Sequence, residues 1–148
     1  MTAFAENRKA RFNYEFLEEM EAGIELEGFE VRAVRTGKMT LEGAHITVRG
    51  GEAFLVGASI APYQPNNTPK GYNPSRNRKL LLTKKEIESL GDTESKKGLT
   101  IVPISVYNKG RRVKVRIAVA RGKKKFDKRE TLKRRDDERE MRREMKGH

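Results

Sequence analysis

The stretch Asn7-Arg8-Lys9-Ala10-Arg11-Phe12-Asn13-Tyr14 interleaves cations with aromatic rings. Cations hold phosphates, and Arg and Tyr planes stack on unpaired bases, so this mixture suits RNA. The opposing reading gives Phe12 and Tyr14 to the core side of a strand. An acidic group follows at once: Glu15, Glu18, Glu19 and Glu21. Grouped carboxylates can bind a divalent metal or exchange protons. These lack a second cluster, a nearby His and a glycine-rich phosphate loop. A solvated strand face is therefore expected, with Glu21 retained as an acceptor for a base donor or as a partner that orients an Arg.

Other chemistries are poorly supplied. The chain has no Cys, which removes disulfides, zinc ribbons, Cys-ligated clusters and thiol catalysis. Its two His, His45 and His148, do not suffice for a Ser–His–Asp triad or a multi-His metal site. Gly37-Lys38 and Gly122-Lys123 do not have phosphate-loop spacing. No catalytic residue, metal, cofactor or small-molecule substrate is expected. His45 is expected to pack or to face solvent within a strand.

The charge balance points to a polyanion. Among 148 residues, 33 Lys and Arg face 21 Asp and Glu, a formal net charge of +12. Residues 1–120 hold 20 basic and 14 acidic side chains, and residues 121–148 hold 13 and 7, so each part carries +6. Hydrophobic residues make up 35% and charged residues 36%, so part of the chain has too little apolar surface for a core. No apolar run approaches the ~18 residues of a membrane helix. The stretch from Met1 to Lys9 lacks the apolar segment of a secretory signal, so a cytoplasmic location is expected.

The segment 121–148 contains Phe126, Leu132, Met141 and Met145 as its large apolar residues, without helical spacing strong enough for a core-facing stripe. It is expected to be disordered when free, because burial cannot offset its ordering entropy. It still carries helix signals. Asp127 and Glu130 fit an N-cap with an acidic N3 residue. Glu130–Arg134 and Glu138–Arg142 are i,i+4 pairs that each contribute about 0.2–0.5 kcal/mol. Neutralisation of its cations by phosphates would tip such a segment into a helix.

The elements that position these groups are mostly strands. Phe12 to Leu26 mixes a strand period (Phe12, Tyr14, Phe16) with a helical one (Leu17, Met20, Ile24). A long bent strand is expected, with Gly23 as a bulge. Phe29 to Arg35 reads as a short helix. His45–Arg49 and Ala53–Ile60 flank a Gly50-Gly51 hairpin turn. Thr100–Tyr107 and Arg111–Ala120 flank Asn108-Lys109-Gly110. In the last strand Val113, Val115, Ile117 and Val119 share a core face, opposite a basic, wet face with Lys114 and Arg116. Thr83-Lys84-Lys85-Glu86 is a capping box, with Leu82 and Ile87 as a hydrophobic staple and Gly91 as the residue after the helix. The proline-rich connection 62–79 ends in Arg76-Asn77-Arg78-Lys79, a basic entry to that helix. The expected architecture is mainly β: a small antiparallel barrel of the oligonucleotide-binding type, with short helices and a basic tail. A β-sandwich is the alternative.

These residues also resemble the small protein B family, bacterial SsrA-binding proteins that partner transfer-messenger RNA. The marks are Asn7-Arg8-Lys9-Ala10-Arg11, Glu21-Ala22-Gly23, Gly28-Phe29-Glu30-Val31, Gly51-Glu52-Ala53-Phe54-Leu55, Arg78-Lys79-Leu80-Leu81-Leu82, and Gly122-Lys123-Lys124 followed by Asp127-Lys128-Arg129. They fall in the family's order over essentially the whole chain. The resemblance implies a barrel, residues 1–120, that grips the tRNA-like domain of transfer-messenger RNA. Its surface would hold Asn7, Arg8, Lys9, Arg11, Tyr14, Glu21, Lys38, Arg78, Lys79 and Leu81. It implies a second partner, the ribosome, for residues 121–148. There Arg121, Gly122, Lys123, Lys124, Phe126, Asp127, Lys128, Arg129, Lys133, Arg134 and Arg135 would enter the decoding region and the empty mRNA channel, becoming helical. Phe126 stands where some relatives have His, Phe29 where some have Trp, and Thr83 where some have Asn. Three other readings compete: a ribosomal or initiation-type protein, a metal-dependent hydrolase using Glu15–Glu21, and an interaction module with a solubilising tail.

Overall fold

A computed structural model describes residues 3–123. Strand β1 (Ala3–Glu6) leads into helix α1 (Arg8–Asn13), which Asn7 caps by accepting from the Ala10 N–H at 3.2 Å. Then come β2 (Tyr14–Ile24), α2 (Gly28–Arg35), β3 (Met39–Thr40), β4 (His45–Arg49), β5 (Glu52–Val56) and β6 (Ser59–Ile60). A single 3₁₀ turn, Pro65–Asn67, interrupts the long connection to β7 (Arg78–Leu81). The described chain closes with α3 (Lys84–Glu94), β8 (Leu99–Lys109) and β9 (Arg112–Gly122). None of the described helices is long and apolar enough to cross a membrane.

Seven strands form one antiparallel sheet in the order β1-β8-β9-β2-β7-β5-β4, and β3 pairs with β6 apart from it. The sheet curls back so that β4 lies against β8, and α3 packs on both strands at that seam. The expected antiparallel barrel with short helices is observed. The fully buried residues Leu41, Leu55, Ile60, Leu80, Leu90, Ile101 and Ile117 help to fill its interior.

The mixed period around residues 12–26 has a physical cause. Phe12 is helical, in α1, and the strand starts at Tyr14. The bulge is at Leu17, not Gly23: Phe16 pairs with Ala120, Glu18 with Val119, and Leu17 is left over and 46% exposed. The extra residue switches faces. Tyr14 and Phe16 pack outside the barrel under α1, with Ala10, Val102 and Ala120. Beyond the bulge Met20, Ala22 and Ile24 turn inward, while Glu19, Glu21 and Gly23 point outward.

The Gly50-Gly51 hairpin is present, with φ of 58° and 77° at its two central residues. The capping box is present too: Glu86 N–H donates to Thr83 Oγ1 at 3.2 Å, and Thr83 N–H donates to Glu86 Oε1 at 2.9 Å. Helix α3 nevertheless runs past Gly91 to Glu94. The Glu94 carboxylate accepts from Thr47 Oγ1 at 2.8 Å and from the Val48 N–H at 2.7 Å, which ties the last turn to edge strand β4. This contact outweighs the helix-ending tendency of glycine. At the far end, β9 continues two residues beyond position 120, and Lys123 N–H donates to Asn13 O at 2.8 Å. Arg121, Gly122 and Lys123 therefore belong to the described fold.

Candidate RNA-binding surface

The outer face of β8, β9 and β2 gathers the exposed cations. Register places Lys109 beside Arg112, Tyr107 beside Lys114, Ser105 beside Arg116, and Arg116 beside Glu21. Alternation of side chains along β9 puts Arg112, Lys114 and Arg116 in one outward row. Gly23 of β2 pairs with both Lys114 and Leu81, so β7 continues this surface and Leu81, 53% exposed, joins it. At the end of the surface lies a groove of about 300 Å³ beside α2. Leu26, Val31 and Leu81 give it an apolar floor, and Arg35, Arg111, Arg112 and Lys114 line it as cations. Among the described residues, none of these four cations forms a salt bridge. Arg35 is oriented instead by donation from Nη2 to Arg111 O at 2.9 Å.

One carboxylate sits within this basic field. Glu21 accepts a short hydrogen bond from Tyr107 Oη and a 3.1 Å bond from Lys109 Nζ. The bond from Tyr107, then that from Lys109, holds the Glu21 carboxyl below the usual carboxylate range. Burial, with the bond to Glu21 second, pushes Tyr107 up to about 12. Arg116 lies 5.9 Å from the centre of the Tyr107 ring, within cation–π range. Glu21 is thus an ionised, oriented acceptor. Glu15, Glu18 and Glu19 are solvent-exposed on the same strand. Among the described residues, no group of three or more Asp, Glu or His is placed to hold a metal ion.

The expected site residues divide. Arg8, Lys9 and Arg11 are exposed on α1, at the lower end of the sheet face that carries Tyr14 and Glu21. Lys9 is paired with Glu42. Lys79 and Leu81 face outward from β7, and Lys79 Nζ sits 2.9 Å from Glu52. Lys38 is exposed but stands apart, at the entry to β3. Two others lie off the exposed surface. Asn7 is buried; its amide donates to Pro103 O at 2.9 Å and caps α1, so it is held for structure. Arg78 is fully buried as well. It points inward with Leu80, and its Nη2 lies 2.6 Å from Glu30 Oε2.

Arg78 belongs to a buried polar cluster that anchors the proline-rich connection. Glu30 also accepts from Tyr72 Oη at 2.9 Å, from Arg76 through Nε and Nη2, and from the Glu27 N–H at 2.9 Å. Burial alone would raise the Glu30 carboxyl, but bonds from Arg76, the Glu27 backbone, Arg78 and Tyr72 hold it at about 2. The basic run 76–79 is therefore largely scaffold. By contrast, Arg35, Arg111 and Arg112 escaped the sequence reading, because their juxtaposition is purely tertiary. The alternation of Lys114 and Arg116 was the signal that could have led there. Lys124, Phe126, Asp127, Lys128, Arg129, Lys133, Arg134 and Arg135 lie outside the described residues, as do the Asp127 cap and the order of the tail.

Comparison with known proteins adds a second line. A family model described as SmpB protein matches residues 4–147. An SsrA-binding protein of Gloeothece citriformis (strain PCC 7424) is 51% identical over 141 residues, covering 95% of this chain and 91% of the relative. One of Ligilactobacillus salivarius (strain UCC118) is 49% identical over 146 residues, covering 99% and 94%. A solved structure described as "tmRNA-SmpB: a journey to the center of the bacterial ribosome" superposes with a TM-score of 0.68 at 44% identity, covering 81% of this chain and 84% of that one.

Proposed function

Because the chain belongs to the SmpB protein family, we propose that it binds SsrA, the transfer-messenger RNA, and serves with it on stalled ribosomes in trans-translation. The observation that supports this reading is the outward row Arg112-Lys114-Arg116 with its groove of unpaired cations beside Leu81. Cations without carboxylate partners leave their full charge for phosphates, and an exposed apolar floor leaves room for a base or ribose. The recognised element is the tRNA-like domain. Arg8, Lys9 and Arg11 extend the contact along α1, and Glu21 accepts hydrogen bonds from nucleotide donors.

The chain acts as a binding factor in the cytoplasm. Its role requires it to present shape and charge, with no covalent step of its own. Residues beyond Lys123 carry the second task, reading the decoding region and the vacant mRNA channel. A channel filled with mRNA would deny that segment its phosphates and so its binding energy.

A reconstituted rescue reaction tests the proposal. Full-length protein should bind the tRNA-like RNA with affinity that falls steeply as salt rises, and peptide tagging on stalled ribosomes should depend on it. Binding that ignores salt, or tagging that proceeds without the protein, would overturn it.

A further inference from the structure

The long connection between β6 and β7 has no part in the sheet surface described above, yet it builds a second concave site. A cleft of about 310 Å³ opens between this connection and the start of α2, lined by Gly28, Phe29, Arg32, Tyr63, Gln64 and Thr68. Two aromatic rings, one cation and no carboxylate line it. Tyr63 is 44% exposed, so its ring is accessible to a ligand in the cleft. The Arg32 side chain is exposed and forms no salt bridge among the described residues.

The opposite wall is rigid. Phe29 meets Tyr72 edge to face, with ring centres 4.9 Å apart at 86°. Tyr72 is fixed in turn by donation to Glu30 Oε2 at 2.9 Å and by Arg78 Nη2 at 3.1 Å. The buried cluster thus holds both the loop and the ring that faces the cleft. A Cβ added at Gly28 would meet nothing within 4 Å, so the mouth is open there. The cleft and the basic surface meet the same helix. Arg32 and Arg35 lie one helical turn apart on the exposed side of α2, Arg32 lining this cleft and Arg35 the groove beside Leu81.

The geometry points to a subsite for one unpaired nucleotide of the partner RNA, its base stacked on Tyr63 and its phosphate held by Arg32. An aromatic face beside a single cation takes any base, and needs no acidic or amide code. The Arg32–Arg35 ridge carries the RNA backbone from the sheet face to this cleft. This inference rests on the RNA-binding reading above and extends its footprint to the proline-rich connection. The nucleotide belongs either to the tRNA-like RNA or to ribosomal RNA, and the two sources separate in the test.

The full chain and three variants are compared for binding to the tRNA-like RNA over a salt series, and for binding to stalled ribosomes. Tyr63→Ala should lower affinity by about 5- to 150-fold, the span of one lost base–aromatic stack, with the salt slope unchanged. Tyr63→Phe keeps the ring and should stay within about twofold of the parent. Arg32→Gln should flatten the log–log salt slope by about 0.7, one single-strand phosphate. A loss seen with the isolated RNA assigns the nucleotide to it; a loss seen only with ribosomes assigns it to ribosomal RNA. If Tyr63→Ala matches the parent in both assays, or Tyr63→Phe falls as far as Tyr63→Ala, the subsite is refuted. Should Tyr63→Ala melt early, Tyr63→Leu keeps the apolar bulk without the ring and replaces it in both assays, with the same loss expected. If the parent itself fails to bind RNA, the broader reading fails instead.

Discussion

Glu30 Oε2 and Arg78 Nη2 meet at 2.6 Å with both side chains completely shielded from solvent. Glu30 comes from the first turn of α2 and Arg78 from the start of β7, and Arg76 and Tyr72 complete the contact from the loop between. A pair of this kind is costly to form, yet more costly to break, because a lone buried charge is left behind.

Glu30→Ala is therefore expected to destabilise the fold by about 3–5 kcal/mol. Arg78→Ala should do the same, through the stranded carboxylate. Neither residue faces the basic surface, so at a temperature where the variants remain folded the sheet-face contact should persist, and any loss of RNA affinity should not exceed that of Tyr63→Ala, whose cleft the cluster holds. Thermal unfolding followed by binding on the folded fraction checks both statements. A loss of RNA affinity by folded Arg78→Ala larger than that of Tyr63→Ala would return that residue to the binding surface.

The same carboxylate sets an acid limit. Its value in the folded chain, about 2, lies below the ordinary carboxylate range it regains on unfolding. The unfolded chain therefore takes up a proton first as pH falls. The stabilisation is fully present above about pH 4.5, declines as pH falls towards 2, and is gone below. Stability measured across that window should fall more steeply for the parent than for Glu30→Gln, which has no proton to gain at this site.

How far the residues announced these contacts differs by element. The hairpin at Gly50-Gly51 and the box at Thr83–Glu86 are local, each set by a few neighbouring residues, and both were legible. The strand at 14–24 was half legible, because a one-residue bulge at Leu17 superimposes two alternations and imitates a helical period. Gly91 misled because the bonds that hold Glu94 to β4 come from residues 46 and 47 positions away. The same logic governs the binding surface. The cations of 76–79 looked exposed in isolation, yet Arg78 is claimed by a glutamate 48 residues earlier. Arg35 and Arg111, which looked unremarkable, are brought to one groove by the fold.

On that surface Tyr107 fixes the direction of the Glu21 carboxylate. Tyr107→Phe removes the hydrogen bond to Glu21 together with the hydroxyl's contact with Arg116, so Glu21 should titrate closer to the ordinary carboxylate range. RNA affinity should fall by about two- to tenfold, the effect of one hydrogen bond of about 0.5–1.5 kcal/mol. Carboxyl carbon shifts followed by NMR report the first change, and equilibrium binding the second. An unmoved Glu21 titration would show that the tyrosine does not hold it.

Gly23 tests Leu81 in the same manner. A Cβ at position 23 would stand 3.1 Å from Leu81 Cβ, so the leucine must shift to admit it. Gly23 lies in a strand with an ordinary negative φ, and the contact is on the outer face, so folding should survive. Gly23→Val is expected to keep its unfolding temperature within a few degrees while losing several-fold in RNA affinity. Equal affinity for the two proteins would remove Leu81 from the contact.

The last described anchor of the chain is Lys123, whose N–H donates to Asn13 O at 2.8 Å and whose Nζ lies 3.3 Å from Arg11 O. Ending the chain after Lys123 retains all of the strand pairing in the described fold. The truncated protein should therefore melt close to the parent. It should also keep most of its affinity for the tRNA-like RNA, losing only the salt-dependent part that the removed cations contribute. Peptide tagging on stalled ribosomes should disappear, because the segment assigned to the vacant channel is gone. If truncation instead abolishes RNA binding at low salt while the body stays folded, the two tasks are not divided between body and tail, and the assignment of the sheet face as the principal RNA surface fails with it.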